Sequence, residues 1–271
     1  MDLGTVSEVV RARSRDDLRT VGGDTAVVAG ATWMMSERQN HIRRLVDITD
    51  LGWTPITVRD NGLEIAATCT LTELLGAELP APYSSVSTLV SQCCDAVLLS
   101  FKVQQFATVG GNICLALPAG AMTSLCAALD GQALVWAADG TDYVIPVADL
   151  VTGAVRTSLN DGDVLRSISI ADSALRARTA FRKVALAPRG RSGAVVIGRV
   201  DPNGDFVLTV TAATDRPYQV RLAEVPDARH IGNVLYSVVP ESSWYDDVHG
   251  DPDWRRHVSG AAAREICEEL R

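Results

Sequence analysis

The chain has 271 residues, of which 47% are hydrophobic and 21% charged, a balance typical of globular proteins with a substantial core. The formal net charge of −8 argues against binding to nucleic acid, because phosphate contacts need a basic surface. The first residues lack the basic region and apolar run of a signal peptide, and no apolar run is long enough to cross a bilayer. We therefore expect a cytoplasmic protein with no transmembrane segment and no nucleic-acid partner.

The predicted strands fall mostly in the first half of the chain. They lie at residues 5–10, 26–29, 45–48, 56–58, 63–65, 133–136 and 143–145. The pairs Asn61-Gly62 and Asp139-Gly140 are typical of tight hairpin turns, so we expect two antiparallel hairpins at these positions.

Helices are predicted between these strands. Ser14 is a suitable cap for a short helix with acidic residues in its first turn. Thr70 and Glu73 have the spacing of a capping box, which opens a second helix. Apolar residues at helical spacing predict two more helices, at residues 86–98 and 122–129.

The last hundred residues form a second group of elements. A connector at residues 171–178 leads to predicted strands at 179–186, 194–200 and 206–211, and a final helix spans 252–270. The whole pattern predicts an α+β architecture with two lobes, divided near residue 172 to within about six residues.

The six cysteines show no Cys-x-x-Cys spacing of a zinc or iron–sulfur site. Adjacent Cys93 and Cys94 leave a redox role open, but free cysteine more often fills a core in a reducing compartment. None of the four histidines has a serine or cysteine partner in a nucleophile-like motif. We assign no metal ligand and no catalytic residue to this chain.

A segment of small residues follows the strand at 26–29. Ala29, Gly30, Ala31 and Thr32 precede the bulky Trp33. Small residues let backbone N–H groups approach an anion closely, and the threonine adds a hydroxyl donor. A short turn after a strand explains this segment equally well.

A second such segment contains Thr108, Gly110, Gly111 and Asn112. It predicts a flexible loop with two side chains that can hydrogen-bond phosphate or ribityl oxygens. Taken alone, a tight turn with glycine at positive φ is the favoured interpretation. Neither segment has the Gly-x-Gly-x-x-Gly or Walker pattern, so the residues by themselves indicate only a pair of phosphate-binding loops.

Taken together, in this order and about eighty residues apart, the two segments resemble the motifs of the FAD-binding subunit of molybdenum hydroxylases, the flavoproteins of carbon monoxide dehydrogenase and xanthine dehydrogenase. Residues 29–33 resemble the motif Ala-Gly-Gly-x-x, and residues 107–112 closely match Ala-Thr-Ile/Val-Gly-Gly-Asn. Weaker resemblances extend over most of the chain, at residues 45–48, 63–75, 181–183 and 254–257.

This resemblance implies a fold and a domain division. Residues 1–172 would form the two-subdomain FAD-binding fold of the vanillyl-alcohol oxidase (PCMH) type, with subdomains at about 1–52 and 53–172. Residues 173–271 would form a smaller α+β domain like the C-terminal domain of the carbon monoxide dehydrogenase flavoprotein.

The resemblance also implies one noncovalently bound FAD, its pyrophosphate held by backbone amides of both loops. The implied contacts are Ala29, Gly30, Ala31, Thr32, Trp33, Thr108, Val109, Gly110, Gly111 and Asn112. Lys183 is a further candidate, weighed evenly against a surface lysine with a buried stem.

Four residues depart from the family pattern. Ala31 stands where glycine is commonest, and Trp33 where a small polar residue is usual. Ala121 replaces a frequent aspartate, and Gln104 replaces a frequent arginine. Because backbone amides do not depend on side-chain identity, these departures bear on FAD affinity and flavin tuning more than on the fold.

By this resemblance the chain is expected to carry FAD as the electron-transfer subunit of an oxidoreductase. A large subunit would hold the molybdenum cofactor and a small subunit the [2Fe-2S] clusters, as a dimer of heterotrimers. Electrons would pass from the iron–sulfur subunit through FAD to an external acceptor. Two alternatives stay open: a self-contained FAD oxidoreductase of the same fold, and a non-catalytic binding or assembly protein that has lost flavin.

Overall fold

The computed structural model describes residues 3–271 and begins with a small parallel sheet. Its strands are β1 (Glu8–Arg11), β2 (Thr25–Val28) and β3 (Arg44–Asp47). Strand β3 lies between the other two. A 3₁₀ helix, Arg15–Thr20, follows β1, and the carboxylate of Asp17 accepts a hydrogen bond from the backbone N–H of Ser14 at 2.9 Å. The predicted order of strand, short helix and strand is confirmed.

A second, larger sheet follows in the chain. The next strands are β4 (Ile56–Arg59), β5 (Gly62–Ala66), β6 (Gln132–Trp136), β7 (Asp142–Pro146), β8 (Val151–Gly153), β9 (Arg156–Thr157) and β10 (Val164–Ala171). Five of them form an antiparallel sheet in the order β4-β5-β10-β6-β7, which contains both predicted hairpins. The sequence pattern does not predict the central strand β10, because a register shift between Leu165 and Ser167 interrupts its alternation.

Seven helices accompany these two sheets in residues 3–177. They are α1 (Leu71–Leu75), α2 (Ser84–Ala96), α3 (Phe101–Gln104), α4 (Val109–Leu115), α5 (Ala121–Ala128), α6 (Val147–Leu150) and α7 (Asp172–Leu175). The predicted capping box is present at α1, where the N–H of Glu73 donates to Thr70 Oγ1 at 3.2 Å and the N–H of Thr70 donates to the Glu73 carboxylate at 2.8 Å. Short 3₁₀ helices occur at Thr49–Leu51, Ala81–Tyr83 and Glu241–Ser243.

The C-terminal lobe is a four-stranded antiparallel sheet with two helices. The strands β11 (Arg178–Val184), β12 (Ala194–Val200), β13 (Phe206–Thr211) and β14 (Tyr218–Leu222) pair in chain order. The helices are α8 (Ala228–Val238) and α9 (Pro252–Leu270). The predicted bounds of β12, β13 and α9 are confirmed, whereas β14 and α8 are not predicted. Within residues 3–271, no helix is both long enough and apolar enough to span a membrane.

Burial of apolar faces arranges these elements in layers. Leu89 of α2 and Leu125 of α5 lie in one buried cluster with Ile168 of the five-stranded sheet. The same cluster includes Val195 of β12, while its neighbour Val196 faces a second cluster with α8 and α9. Helices α2 and α5 are therefore packed between the five-stranded sheet and the four-stranded C-terminal sheet. Helices α8 and α9 cover the outer face of the C-terminal sheet. The α+β fold class is confirmed.

An ionic network around Asp130 joins α5 to the C-terminal sheet. Arg199 of β12 donates to the carbonyl of Ala128 at 2.7 Å and to the carboxylate of Asp130 at 2.5 Å. Arg221 of β14 also pairs with Asp130. Burial alone would raise the pKa of Asp130, but the hydrogen bonds from Arg221 and Arg199 outweigh it and hold that pKa below its usual value.

The last helix is attached by a buried arginine, and here the sequence interpretation is wrong. The pattern suggests that Arg255 is a surface or interface charge, but the residue is only 1% exposed. Its guanidinium donates to the carbonyls of Gly250, Gly193 and Ala212 and pairs with Asp247. An arginine fits this interior because every one of these acceptors lies within reach of its forked donors.

Replacing Arg199 by methionine should destabilise the fold. The side chain is 4% exposed, and its removal takes one donor away from the Asp130 carboxylate and one from the Ala128 carbonyl. We expect Arg199→Met to lower the free energy of unfolding by about 3 kcal/mol near neutral pH, measured by urea denaturation followed by circular dichroism.

The matched control is Arg221→Met, which removes the other partner of Asp130. Arg221 is 54% exposed, so this change should cost at most about 1 kcal/mol. Because the folded pKa of Asp130 is lowered, the pair stabilises the fold above the unfolded value of about 3.9 and ceases to do so as pH falls below the folded value. The loss caused by Arg199→Met should shrink in acid; equal losses in both variants would contradict the prediction.

Candidate functional site

A cleft of about 350 Å³ lies between the small parallel sheet and the five-stranded sheet. On the first side it is lined by residues 21–23, 25–27, Ala29 and Ile48, and on the other by Thr108, Gly110 and Gly111. The segment 159–165, which leads into β10, closes its third side. Parts of both predicted loops thus line one cavity.

The two loops meet at Gly30. A Cβ atom at this position would lie 1.7 Å from the carbonyl oxygen of Phe106 and 3.2 Å from the Cα of Ala107. Only a residue without a side chain allows the backbones to approach this closely. Gly30 is therefore required for the contact between the first loop and the start of the second.

The first loop is a turn with free backbone donors. Ala31 has a left-handed φ of +56°, and its carbonyl accepts a hydrogen bond from the N–H of Met35 at 2.8 Å. The carbonyl of Trp33 accepts from Ser36 at 2.8 Å. Within residues 3–271, the N–H groups of residues 30–34 donate to no protein acceptor. Successive free N–H groups in a turn of this kind form a concave site suited to an anion.

The second loop is not the flexible loop that the sequence predicts. Its glycines lie in the first turn of α4, and neither has a positive φ, so the tight-turn interpretation is wrong. Thr108 is the N-cap, and its Oγ1 accepts a hydrogen bond from the N–H of Gly111 at 3.1 Å. A Cβ on Gly110 would lie 2.5 Å from the Cβ of Ala67. Close packing explains the glycine at this position.

The backbone donors of the second loop are already paired inside the chain. The N–H of Val109 donates to Cys69 at 2.8 Å, and that of Gly110 donates to Ala67 at 2.9 Å. The N–H of Asn112 donates to Thr108 at 2.9 Å. This loop contributes a firm wall to the cleft, and the free N–H groups of the first loop lie next to the cleft lining in the chain, after Ala29.

The other candidate side chains, Asn112 and Lys183, are not among the residues that line the cleft. Asn112 accepts a hydrogen bond from the N–H of Met122 at 2.8 Å and so fastens α4 to the start of α5, where Ala121 is buried. Lys183 lies half-buried on β11 and does not line the cleft. Burial lowers the pKa of the Lys183 ammonium, with Asp95 acting in the opposite sense.

The cleft has an unusual charge pattern for a phosphate site. No lysine, arginine or histidine is among its lining residues in the described part of the chain. Asp161 lies at its rim and accepts from the N–H of Gly23 at 2.8 Å, and Asp163 accepts from Tyr143 at 2.7 Å and from Asn160 at 2.9 Å. An anion beside the cleft, at the turn of residues 30–34, would be held by backbone dipoles. This segment is not among the predicted site residues, and its only signal in the sequence is an Asn-Asp-Gly turn before a strand.

One cysteine opens into the cleft. Five of the six cysteines are buried, as expected for core-filling thiols, and Cys114 is exposed at the cleft wall. The protein packed around it still raises the pKa of the Cys114 thiol to about 12, through desolvation.

Comparison with known proteins agrees with this geometry. Residues 4–172 match the model of the family described as the FAD binding domain in molybdopterin dehydrogenase. No curated protein sequence matches the chain with significant similarity.

Several solved structures share the fold across nearly the whole chain. They include quinoline 2-oxidoreductase from Pseudomonas putida 86 (TM-score 0.82, 17% identity, 100% of this chain and 98% of that chain) and reconstituted CO dehydrogenase from Oligotropha carboxidovorans (0.83, 18%, 100% and 99%). Carbon monoxide dehydrogenase from Hydrogenophaga pseudoflava, which lacks the Mo-pyranopterin moiety of the molybdenum cofactor, is also similar (0.79, 15%, 98% and 97%). At these identities the likeness concerns the fold.

Ala31→Gly should stabilise the first loop. Glycine adopts a φ of +56° without the steric cost that alanine meets there, and this relief exceeds the extra entropy of an unfolded glycine. We expect the free energy of unfolding to rise by about 0.5–1 kcal/mol in urea denaturation. Ala187→Gly, at an exposed alanine without positive φ, should lower it; a loss in both variants would count against the strained conformation.

Cys114 should report on occupancy of the cleft. It is the exposed thiol, and its pKa of about 12 predicts slow reaction with a maleimide at pH 8, because only the thiolate reacts. ADP or FAD should slow the labelling further by covering the cleft wall. Mass spectrometry of digests gives the labelled position, and Cys114→Ser should abolish the slow phase. Labelling that neither nucleotide affects would show that they bind elsewhere.

Proposed function

The chain belongs to the family of FAD binding domains of molybdopterin dehydrogenases, and on this basis we propose that it is the electron-transferring flavoprotein subunit of a molybdenum hydroxylase. The observation that carries the proposal is the turn of free N–H groups at residues 30–34, held beside the cleft by the contact between Gly30 and Phe106. FAD, when bound, supplies the reversible uptake and release of electrons.

We propose that the first loop binds the FAD pyrophosphate through its backbone. The free N–H groups of residues 30–34 and the hydroxyl of Thr32 are the donors, in a turn that contains the left-handed Ala31. The second loop forms the opposing wall. Gly111 has no side chain to fill the space there, and a Cβ atom added to it would meet little besides Thr108 Oγ1, at 2.9 Å. These residues orient the dinucleotide and exclude water from its phosphates.

One half of the dinucleotide fits the cleft. A volume of about 350 Å³ lies near the lower end of the roughly 300–1,000 Å³ that small-molecule pockets span. Val27, Ala29 and Ile48 offer apolar surface to a base, and Asn160 and Asp161 offer polar groups to a ribose at the rim. We assign the adenosine half to this cleft, with the flavin half outside it.

We further propose that this chain works with two partner subunits. Family membership supports a large subunit that holds the molybdenum cofactor and a small subunit that holds [2Fe-2S] clusters, assembled as a dimer of heterotrimers. The chain would then receive electrons from the iron–sulfur subunit and deliver them to an external acceptor. Substrate oxidation would take place on the large subunit.

The isolated chain should bind FAD but should not oxidise an organic substrate. We expect about one FAD per chain, released by acid precipitation, and competition by ADP but not by FMN, because the cleft takes the adenosine half. Flavin absorbance then measures reduction by aldehydes, N-heterocycles or carbon monoxide, for the chain alone and for the complex purified with its large and small subunits.

Reduction only in the complex supports the subunit assignment. Equal rates of substrate-driven reduction in the isolated chain would favour a self-contained FAD oxidoreductase. A folded chain that takes up no FAD at all would contradict the proposal and favour a binding or assembly protein. Competition by FMN instead of ADP would reverse the assignment of the two FAD halves.

A further inference from the structure

Trp33 is an aromatic side chain without an aromatic partner in the described part of the chain. It is 38% exposed, and no ring or guanidinium of residues 3–271 stacks on it. The other tryptophans have ring contacts or packed positions, such as the edge contact of Trp53 with Trp136 at 5.3 Å. An exposed indole leaves apolar surface in contact with water, and a flat ligand that stacks on the indole would bury that surface.

The position of Trp33 relates it to one half of a bound dinucleotide. The residue lies within the run of free N–H groups at 30–34, yet it does not line the cleft. The cleft begins at Ala29, on the other side of Gly30. A dinucleotide with its pyrophosphate on the turn and one half in the cleft would have its other half outside the cleft, where Trp33 is exposed.

Two more exposed apolar side chains belong to the segments that meet at Gly30. Phe106, whose carbonyl lies against Gly30, is 61% exposed, and Met35 of the same turn is 43% exposed. These side chains, like Trp33, are absent from the cleft lining. Exposed apolar side chains gathered beside a binding turn indicate a contact surface for a ligand or partner.

We propose that the indole of Trp33 stacks on the isoalloxazine ring of FAD. This inference rests on the proposed binding of FAD through the first loop and adds a residue that determines how the flavin half is held. The flat indole covers one face of the ring system and leaves the other face and the edge open for electron exchange. A small polar residue at this position could not make this contact.

Two variants distinguish stacking by a flat ring from electron donation by the indole. Trp33→Ser removes the ring, and we expect the Kd for FAD to rise about tenfold, as for the loss of one aromatic stacking partner. Trp33→Phe keeps a flat ring and should change the Kd little. An indole in contact quenches flavin emission by giving an electron to the excited ring and taking it back, which phenylalanine cannot do. Flavin fluorescence should therefore rise several-fold in both variants.

Met35→Ser is the matched control, because it removes exposed apolar surface from the same turn without removing a ring. It should leave the flavin emission unchanged. If the wild-type chain and Trp33→Ser bind FAD with the same Kd and the same emission, the stacking proposal is overturned while the FAD-binding proposal stands. If the wild-type chain binds no FAD, the proposed function itself fails. Circular dichroism verifies that each variant is folded.

Discussion

The site depends on one backbone contact, the approach of Gly30 to Phe106. It joins the turn after β2 to the segment before α4, although 76 positions separate them in the chain. A Cβ would lie 1.7 Å from a carbonyl oxygen, so any side chain would push the small parallel sheet away from the segment before α4. The cleft that both loops line therefore depends on this contact.

The two glycine-bearing segments have different physical tasks. The first segment keeps its N–H groups free and contains an alanine in the left-handed conformation. In the second segment the N–H groups of Gly110 and Val109 donate to Ala67 and Cys69 and so attach α4 to them. A rigid wall facing a turn of free donors is preorganised, so little entropy is lost when an anion binds. Since no basic side chain of residues 3–271 lines the cleft, backbone dipoles would take the place of lysine or arginine in the proposed site.

The C-terminal lobe supports the site from behind. Helix α5, whose start is bonded to Asn112, is held at its other end by Arg199 and Gln219, which donate to the carbonyls of Ala128 and Ala127 at 2.7 and 2.8 Å. These bonds satisfy carbonyl groups that the end of a helix leaves unpaired. A disturbance in the C-terminal sheet can thus reach α4 and the cleft through helix α5 alone.

Local chemistry in the sequence determined the two hairpins, the capping box of α1 and the segments β12, β13 and α9, because each depends on turn residues, caps or periodicity within a few positions. It also identified both motif segments and the family. Only the tertiary structure decided that Gly110 is packed against Ala67, that Arg255 is buried and that β10 is the central strand. Those outcomes depend on residues that are distant in the chain. In the sequence, a glycine that allows close packing cannot be distinguished from a glycine that a turn requires. A strand with a bulge lacks the regular alternation of apolar and polar residues that predicts a strand.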